Sequence, residues 1–339
     1  MIERYAFVLS YDYPKLSLYE ALSCLKSEDV VILSSIVKER ILLVKVQLKN
    51  EEQIINAARR SATIKEVIKP FQLLKDLKID LSSLKDVLKS VQTFGVRASC
   101  FSTRKFDSRE IEWTVGHQIT NAFPNIKVNL RNPDVWIRVI VVEDLVIIGI
   151  PIFKEPKGFH ERSAGKRPFL IASTLKPKLA LSLVNLSGVR KGQILLDPFC
   201  GAGSILIEAA LLGVETIGCD IFKKHVQGTR SNLKWANVDT LGVIRCDSCF
   251  LPIRKVDAIV TDPPYGREAP VGGHSVEEIY EFIIRNARDI LRTGGSFVFI
   301  HPKGFDIPSS EACSFTELYK VEIPVHGSLI RVIRVWEKK

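Results

Sequence analysis

The chain has 339 residues, of which 46% are hydrophobic and 25% charged, and its formal net charge is +10. These values are close to the averages of globular proteins, which excludes large-scale disorder, and the length accommodates two or three domains. No stretch contains the roughly 18–20 uninterrupted apolar residues of a membrane-spanning helix, and the amino terminus does not resemble a signal peptide. We therefore expect a cytoplasmic protein without a membrane partner.

The first 70 residues alternate strand and helix patterns. Ser17 and Glu20 have the spacing of a capping box that opens a first helix, and residues 51–60 predict a second one. Strands are predicted at residues 5–9, 30–37, 41–48 and 63–68. This β-α-β-β-α-β order is the ferredoxin-like arrangement. Because Pro70 begins a polar stretch, we assign residues 1–70 to a ferredoxin-like domain.

A second unit is predicted for residues 71–153. Its pattern gives a helix at 108–122 and strands at 99–101, 127–130, 135–142 and 145–150. Basic side chains gather around its first strand and helix, namely Arg97, Arg104, Lys105 and Arg109. Such a cluster is typical of a surface that contacts a polyanion, because each phosphate contact releases counterions.

Residues 154–175 predict a basic linker rich in proline and glycine. Seven basic residues stand against two acidic ones between Lys154 and Lys178, so this stretch carries half of the net charge of +10. A solvated linker can have the same composition, but a nucleic acid is the natural partner of such a stripe. We predict RNA contacts for Arg162, Lys166 and Arg167 within it.

Strands and helices alternate from residue 176 to 339, as in a doubly wound α/β sheet. Strands are predicted at 193–196, 215–219, 242–245, 258–260 and 296–300, with a closing hairpin at 318–323 and 329–336. Helices are predicted at 179–186, 204–212, 223–236 and 275–291, the last with Ser275 and Glu278 as a capping box.

A glycine-bearing turn follows the first strand of this sheet, in the run Asp197-Pro198-Phe199-Cys200-Gly201-Ala202-Gly203. Ligands of open α/β sheets bind beyond the carboxyl ends of the strands, and Gly201 and Gly203 let the backbone approach a ligand. The spacing lacks the third glycine of the dinucleotide-binding fingerprint. The turn therefore favours a nucleoside cofactor that does not transfer hydride.

Acidic side chains end the second and third strands as well. Asp220 can accept hydrogen bonds from both hydroxyls of a ribose, and Asp247, with Ser248 beside it, can accept one from an adenine amino group. Three strand-end carboxylates suit a cationic cofactor rich in donors, which predicts S-adenosylmethionine. Its predicted binding residues are Asp197, Gly201, Gly203, Asp220, Asp247 and Ser248.

The fourth strand leads into Asp262-Pro263-Pro264-Tyr265. Methyl transfer to an aromatic amine needs acceptors that bind its N–H hydrogens and aim its lone pair, because that lone pair is delocalised into the ring. The Asp262 carboxylate and the Pro263 carbonyl can supply them, and Tyr265 offers a flat face for an extruded base. Orientation alone, or an added proton transfer to Asp262, would serve the reaction. We predict an amine methyltransferase with Asp262, Pro263 and Tyr265 as catalytic residues.

The seven cysteines give no metal-binding pattern. Only Cys246 and Cys249 have the spacing of metal ligands, and no second pair or neighbouring histidine in the sequence completes a set. We expect no bound metal and reduced thiols.

Three sets of motifs resemble known families. The run at residues 262–265 is similar to the signature of Rossmann-like class I methyltransferases that modify exocyclic amines. Residues 94–150 resemble a THUMP domain, an RNA-binding module, through Phe94-Gly95-Val96-Arg97 and Val128-Asn129-Leu130-Arg131-Asn132-Pro133-Asp134. The junction resembles that of archaeal tRNA guanine-N2 methyltransferases, through Arg167-Pro168-Phe169, Ser173-Thr174-Leu175-Lys176-Pro177-Lys178-Leu179-Ala180 and Val184-Asn185-Leu186.

The resemblance implies a fold and a reaction. A ferredoxin-like domain and a THUMP domain that grips the acceptor end of tRNA would precede a seven-stranded, mostly parallel Rossmann-like domain at residues 176–339 that methylates guanine N2. The resemblance adds Thr174 to the cofactor residues and Arg131 to the RNA-binding residues. Some members of the family work with a small zinc-binding activator protein, which makes such a subunit a candidate partner.

The first residue of the signature separates two branches of that family. Asp, as at Asp262, is typical of the branch that acts on guanine 10 of tRNA, whereas the guanine 6 branch tends to have Asn. We expect guanine 10, with one or two methyl additions. DNA adenine N6 methylation is an alternative that the THUMP-like segment disfavours. A non-catalytic RNA-binding protein is another, which the two intact motifs disfavour.

Overall fold

The computed structural model describes residues 1–101, 107–154, 158–264, 273–307, 312–326 and 329–339. Contacts divide the chain into two compact units. The first unit comprises Met1–Pro14, Glu28–Arg59 and Ile64–Pro156, and the second comprises Lys15–Ser27, Arg60–Thr63 and Lys157–Lys339. Among the described residues, no helix has both the length and the apolar character needed to span a membrane.

One mixed sheet of eight strands forms the first unit. The strands are β1 (Ile2–Leu9), β2 (Val31–Lys38), β3 (Ile41–Gln47), β4 (Ile64–Leu74), β5 (Thr93–Phe101), β6 (Lys127–Val128), β7 (Val135–Val142) and β8 (Leu145–Lys154). Their spatial order is β2-β3-β1-β4-β8-β7-β5-β6. The first four strands pair antiparallel in the order of the ferredoxin-like arrangement, which confirms the fold predicted for this part of the chain.

Strand β4 joins the two halves of this sheet. Its first residues pair with β1, and the residues from Glu66 to Leu74 pair with β8. Pro70 lies inside the strand at a register shift, where its missing N–H disturbs the ladder least. The strand therefore runs past its predicted end at residue 68, and the predicted division at residue 70 falls within it.

Three helices follow strands of the first unit, α2 (Glu52–Arg60), α3 (Lys85–Leu88) and α4 (Ser108–Ala122). Helix α4 begins after Asp107, whose side chain accepts a hydrogen bond from the Arg109 amide. Its residues Ile111, Val115 and Ile119 recur at the helical period, and all three are buried in one cluster with Phe94.

The second unit contains the seven-stranded sheet predicted for residues 176–339. Its strands are β9 (Ile194–Asp197), β10 (Glu215–Asp220), β11 (Gly242–Arg245), β12 (Val256–Thr261), β13 (Leu291–Pro302), β14 (Phe315–His326) and β15 (Leu329–Lys338). Their order is β11-β10-β9-β12-β13-β15-β14. The first five run parallel, and β15 pairs antiparallel with both β13 and β14. The carboxyl ends of β9 to β12 consequently share one edge.

The helices of this unit are α5 (Pro177–Leu186), α6 (Ser204–Leu211), α7 (Lys223–Trp235) and α8 (Val276–Ile290). Ser275 and Glu278 form the predicted capping box of α8, with both reciprocal hydrogen bonds present. The apolar face of α8 packs with Phe297 and Phe299 of β13 in the core of the unit.

A helix from the amino-terminal part of the sequence belongs to the second unit. This helix, α1, runs from Pro14 to Ser27, so the prediction that Ser17 caps it was wrong, because a proline at the first helical position already suits a helix start. Its buried Glu20 accepts hydrogen bonds from Ser61 Oγ at 2.6 Å and Asn185 Nδ2 at 2.6 Å. These donors stabilise a carboxylate that would otherwise be costly to bury.

Candidate active site

A cavity of about 360 Å³ opens at the shared edge of β9 to β12. Its lining includes six of the residues predicted from the sequence, namely Gly201, Asp220, Asp247, Ser248, Asp262 and Pro263. Thr174, Asp197 and Asp262 line a smaller neighbouring cavity. The predicted catalytic Tyr265 lies outside the described residues. The structure therefore brings the two predicted motifs together, although they are far apart in sequence.

The turn after β9 provides a close backbone surface. Gly201 and Gly203 have φ angles of +53° and +77°, the left-handed region that favours glycine. A Cβ atom at Gly203 would lie 2.8 Å from Thr229 Cγ2, and one at Gly201 would lie 3.0 Å from the Ile171 side chain. The Thr229 hydroxyl also donates to the Gly201 carbonyl at 2.7 Å. These contacts leave no room for larger side chains and fix the turn.

Asp197 is the most buried carboxylate of the site, with 2% of its surface exposed. Its Oδ1 accepts hydrogen bonds from Thr261 Oγ1 at 2.8 Å and from the Phe199 amide at 3.1 Å. Burial raises the pKa of Asp197 to about 7 against these two bonds, and the charges of Asp262 and Asp220 add to the rise. Asp197 therefore holds a proton well above the usual range of a carboxyl group.

Asp220 ends β10 as a fixed acceptor. Its oxygens accept from the Gly201 amide at 3.0 Å and the Phe222 amide at 2.9 Å, and His225 Nδ1 lies 3.1 Å away. These contacts tie the carboxylate to the glycine turn and to the start of α7. Ile221, Phe222 and His225 also line the cavity and were not predicted as site residues. Their position directly after a strand-end aspartate was the available signal.

Asp247 follows β11 and is held from two sides. The Cys249 amide donates to its Oδ1 at 2.9 Å, and His274 Nε2 lies 3.1 Å from its Oδ2. Burial raises the pKa of Asp247, but the hydrogen bonds from Cys249 and His274 outweigh it, so the net shift is downward. His274, which precedes α8, was not predicted as a site residue.

Asp247, Cys249 and His274 also form a group of metal-ligand type. Their ligand atoms lie within 4.8 Å of one another. Burial and the adjacent Asp247 raise the pKa of the Cys249 thiol to about 12, so a metal would have to displace its proton. The hydrogen bonds to Asp247 account for this arrangement by themselves.

Asp262 and Pro263 follow β12 and face the same cavity. The Asp262 carboxylate is mostly buried, and Arg331 Nη2 lies 3.8 Å from its Oδ2. Arg331 comes from β15 and lines the cavity as well. No strand-end or motif pattern in the sequence indicated this arginine, because β15 reaches the site through antiparallel pairing.

The predicted RNA-binding arginines of the first unit lie at the surface. Arg109 and Arg131 are exposed. The Arg97 guanidinium lies 4.7 Å from the centre of the Trp136 ring, and it forms an ion pair with Glu112 at 3.4 Å. Arg104 and Lys105 lie outside the described residues. Contact of these five side chains with RNA stays a prediction.

The cations predicted for RNA in the linker differ in their surroundings. Arg162 forms a two-point ion pair with buried Glu208 of α6, at 2.9 and 3.1 Å. Arg167 is 4% exposed and donates to Ser204 Oγ at 2.7 Å. Lys166 is exposed. Two of the three side chains are thus engaged within the unit, and their role toward RNA stays a prediction.

The donors and acceptors of the cavity fit S-adenosylmethionine. Asp220 and Asp247 present carboxylates for hydroxyl and amino donors, and Ile221 and Phe222 provide apolar surface for a flat base. Gly201 of the tight turn lines the cavity with its backbone, which can approach the ligand without a side chain between them. Acidic side chains around the cavity also suit a cationic ligand.

Comparisons with known proteins identify two domain families along the chain. Residues 164–321 match the RMKL-like methyltransferase domain, and residues 79–150 match the THUMP domain. The chain is 42% identical over 238 residues to a tRNA (guanine(10)-N2)-dimethyltransferase of Methanothermobacter thermautotrophicus, covering 68% of this chain and 69% of the relative. It is 37% identical over 246 residues to a protein of the same name from Methanocaldococcus jannaschii, covering 70% and 67%.

A solved structure supports the fold over the whole length. The crystal structure of TrmN from Thermus thermophilus superposes with a TM-score of 0.55 at 21% identity, and the match covers 99% of this chain and 100% of that one.

Proposed function

We propose a function from the premise that this chain belongs to the family of THUMP-containing, RMKL-like methyltransferases that includes the archaeal tRNA (guanine(10)-N2)-dimethyltransferases. It transfers methyl groups from S-adenosylmethionine to the exocyclic N2 of guanine in tRNA. The target is guanine 10, and the products are N2-methylguanosine and then N2,N2-dimethylguanosine. The name shared by the relatives supports the position and the second addition.

One observation carries the proposal. Gly201 of the glycine turn, the carboxylates of Asp220 and Asp247, and the Asp262-Pro263 pair line a single cavity. A methyl donor held by the first group would lie beside an amine held by the second. Such proximity turns an encounter between two substrates into a step within one complex.

The residues of this site hold and orient the amine. The Asp262 carboxylate and the Pro263 carbonyl accept the two N–H hydrogens of guanine N2, which turns the nitrogen lone pair out of conjugation. Pro264 restricts the backbone that carries these acceptors. S-adenosylmethionine supplies the methyl group when it is bound. After the first transfer one N–H remains, and a single acceptor is enough to hold it for the second.

The proposal also divides the work between parts of the chain. Residues 79–150, which match the THUMP domain, grip the tRNA, and the second unit performs the transfer. The enzyme would work in the cytoplasm, where its tRNA substrate is. The THUMP match supports RNA over DNA as the substrate. A small zinc-binding activator subunit is part of the proposal through the family resemblance.

Mass spectrometry of a defined reaction tests this function. Unmodified tRNA is incubated with the protein and isotopically labelled S-adenosylmethionine, then digested and mapped. We expect labelled N2-methylguanosine and N2,N2-dimethylguanosine at position 10. The same nucleosides at position 6 would keep the chemistry and reject the position. Absence of product with and without added activator protein would reject the enzymatic function.

A further inference from the structure

Arg331 occupies a place that none of the sequence motifs indicates. It lies on β15, opposite Pro302 at the carboxyl end of β13 and opposite Ile323 on β14. The Lys303 amide bonds to the Ile330 carbonyl at 2.9 Å and continues this pairing past the strand end. The backbone ladder therefore fixes Arg331 at the edge where the parallel strands end, and its side chain lines the cavity.

The contact between Arg331 and Asp262 is an ion pair rather than a hydrogen bond. Arg331 Nη2 lies 3.8 Å from Asp262 Oδ2, and the two side chains are only 18% and 10% exposed. Solvent screens such a pair weakly, so each charge depends strongly on the other. Removal of one partner from a buried pair is costly, because the other charge keeps its desolvation penalty and loses that attraction.

Arg331 also lies beyond the part of the chain that matches the methyltransferase domain, which ends at residue 321. The residues previously assigned to the site come from the loops after β9 to β12 and from the junction before α5. The closing hairpin therefore adds a cation to the site, whose other charged lining residues within the described parts of the chain are carboxylates and histidines.

We propose that Arg331 is a positioning residue that holds the Asp262 carboxylate in the orientation required to accept an N–H hydrogen of the target amine. This inference rests on the proposed function. A carboxylate without this counter-charge would be drawn toward the cationic cofactor instead of the amine. The guanidinium offsets that attraction and keeps Asp262 available to the base.

The ion pair also distinguishes the two roles open to Asp262. A neighbouring cation stabilises the negative charge of a carboxylate and so makes it a weaker base. Asp262 consequently acts by orienting the amine, and the proton lost on methylation passes to water. Orientation depends on angle, so loss of Arg331 lowers the rate of the chemical step more than it weakens binding of either substrate.

Arg334 offers a matched control on the same strand. Its side chain is also 18% exposed and is ion-paired, here with Glu317, and it bonds to His301 Nε2 at 3.0 Å instead of facing the cavity. Substitutions at Arg334 disturb the same hairpin and remove the same charge, but they leave the Asp262 pair intact.

The test compares Arg331→Ala and Arg331→Lys with Arg334→Ala on unmodified tRNA. We expect kcat to fall by at least about 10-fold in Arg331→Ala, with KM for tRNA and for S-adenosylmethionine within about 2-fold of wild type. Arg331→Lys keeps the positive charge but lacks the planar guanidinium fork, so its kcat is expected between those of wild type and Arg331→Ala. Guanidinium added to the buffer should restore part of the rate of Arg331→Ala and none in Arg334→Ala.

Each other outcome overturns the inference. An unchanged kcat in Arg331→Ala, or an equal loss in Arg334→Ala, would make Arg331 a structural residue. A raised KM for tRNA with kcat unchanged would assign it to RNA binding. If the alanine variant does not fold, a wild-type rate in Arg331→Lys with no effect of guanidinium decides against the proposal. Absence of methylation by the wild type would reject the proposed function itself.

Discussion

The predicted cofactor carboxylates and the predicted RNA-binding arginines of the first unit are held in opposite ways. Asp197 and Asp220 are buried, and each accepts at least two hydrogen bonds from neighbouring loops. Arg109 and Arg131 are exposed, and nearly half of the Arg97 side chain meets solvent. One region is preorganised around a small ligand, and the other offers charge to a large one.

The difference sets the size of the effects that each region controls. A desolvated carboxylate acts at low dielectric with its geometry fixed, so one substitution removes a large interaction. An exposed cation is screened by salt, and a nucleic acid contacts many such cations at once. We therefore expect large, salt-independent effects in the cavity and small, salt-dependent effects on the first unit.

Asp262→Ala is the sharpest way to test this contrast. We expect kcat to fall by about 10³-fold, because the amine loses an acceptor that orients its lone pair, as for other positioned groups in proton and group transfer. Binding of S-adenosylmethionine, measured by calorimetry, and binding of tRNA, measured by filter retention, should stay close to wild type.

Asp262→Asn is the control for that variant. An amide keeps one acceptor oxygen but cannot take a proton at neutral pH. A rate for Asn clearly above that for Ala supports orientation, whereas equal rates would favour proton transfer to Asp262. A substantial rate in the alanine variant would remove Asp262 from the chemistry altogether.

The sequence predicted the part of the site that parallel strands determine. Asp220, Asp247 and Asp262 each follow an apolar strand, and the carboxyl ends of adjacent parallel strands meet at one edge. The same logic placed the glycine turn before α6. The ferredoxin-like fold of the first strands could also be predicted from the sequence, because it follows from the β-α-β-β-α-β order of the elements.

The rest depends on contacts that no local pattern records. Arg331 reaches the cavity only through the register of β15 on β13, and His274 only through its bond to Asp247. From the basic composition of the linker, Arg162 and Arg167 were predicted to face solvent and contact RNA. Their engagement with Glu208 and Ser204 depends on how the linker packs against α6, which composition does not encode.

Substitution of Asp197 has a smaller expected effect than substitution of Asp262, and it stabilises the protein instead of impairing it. Its pKa of about 7 lies above the ordinary value of 3.8 for aspartate. The folded state thus keeps a proton that the unfolded state releases, so stability falls as pH rises from about 4 to about 7. Asp197→Asn keeps an acceptor oxygen for Thr261 and Phe199 and has no proton to lose. We expect the variant to gain on the order of 2–3 kcal/mol over wild type between pH 5 and pH 8.

Urea unfolding of the cofactor-free proteins at pH 5 and pH 8 measures that difference. The gap between variant and wild type should widen toward pH 8, and the other titrating groups cancel in the comparison. A gap that is constant with pH would mean that Asp197 ionises in the folded protein at its ordinary pH, so that burial does not raise its pKa.

Replacement of Arg97, Arg104 and Arg109 by glutamine should have the smallest effect per residue. Each lost phosphate contact lowers the salt slope of tRNA affinity by about one, and the bond of Arg97 to Glu112 makes its share the least of the three. Affinity measured from low to moderate salt should converge with wild type as salt rises, while kcat at saturating tRNA stays unchanged. An unchanged slope would move the RNA contact to the 154–178 stripe, and because Arg162 and Arg167 are already engaged there, Lys166 would be the next residue to replace.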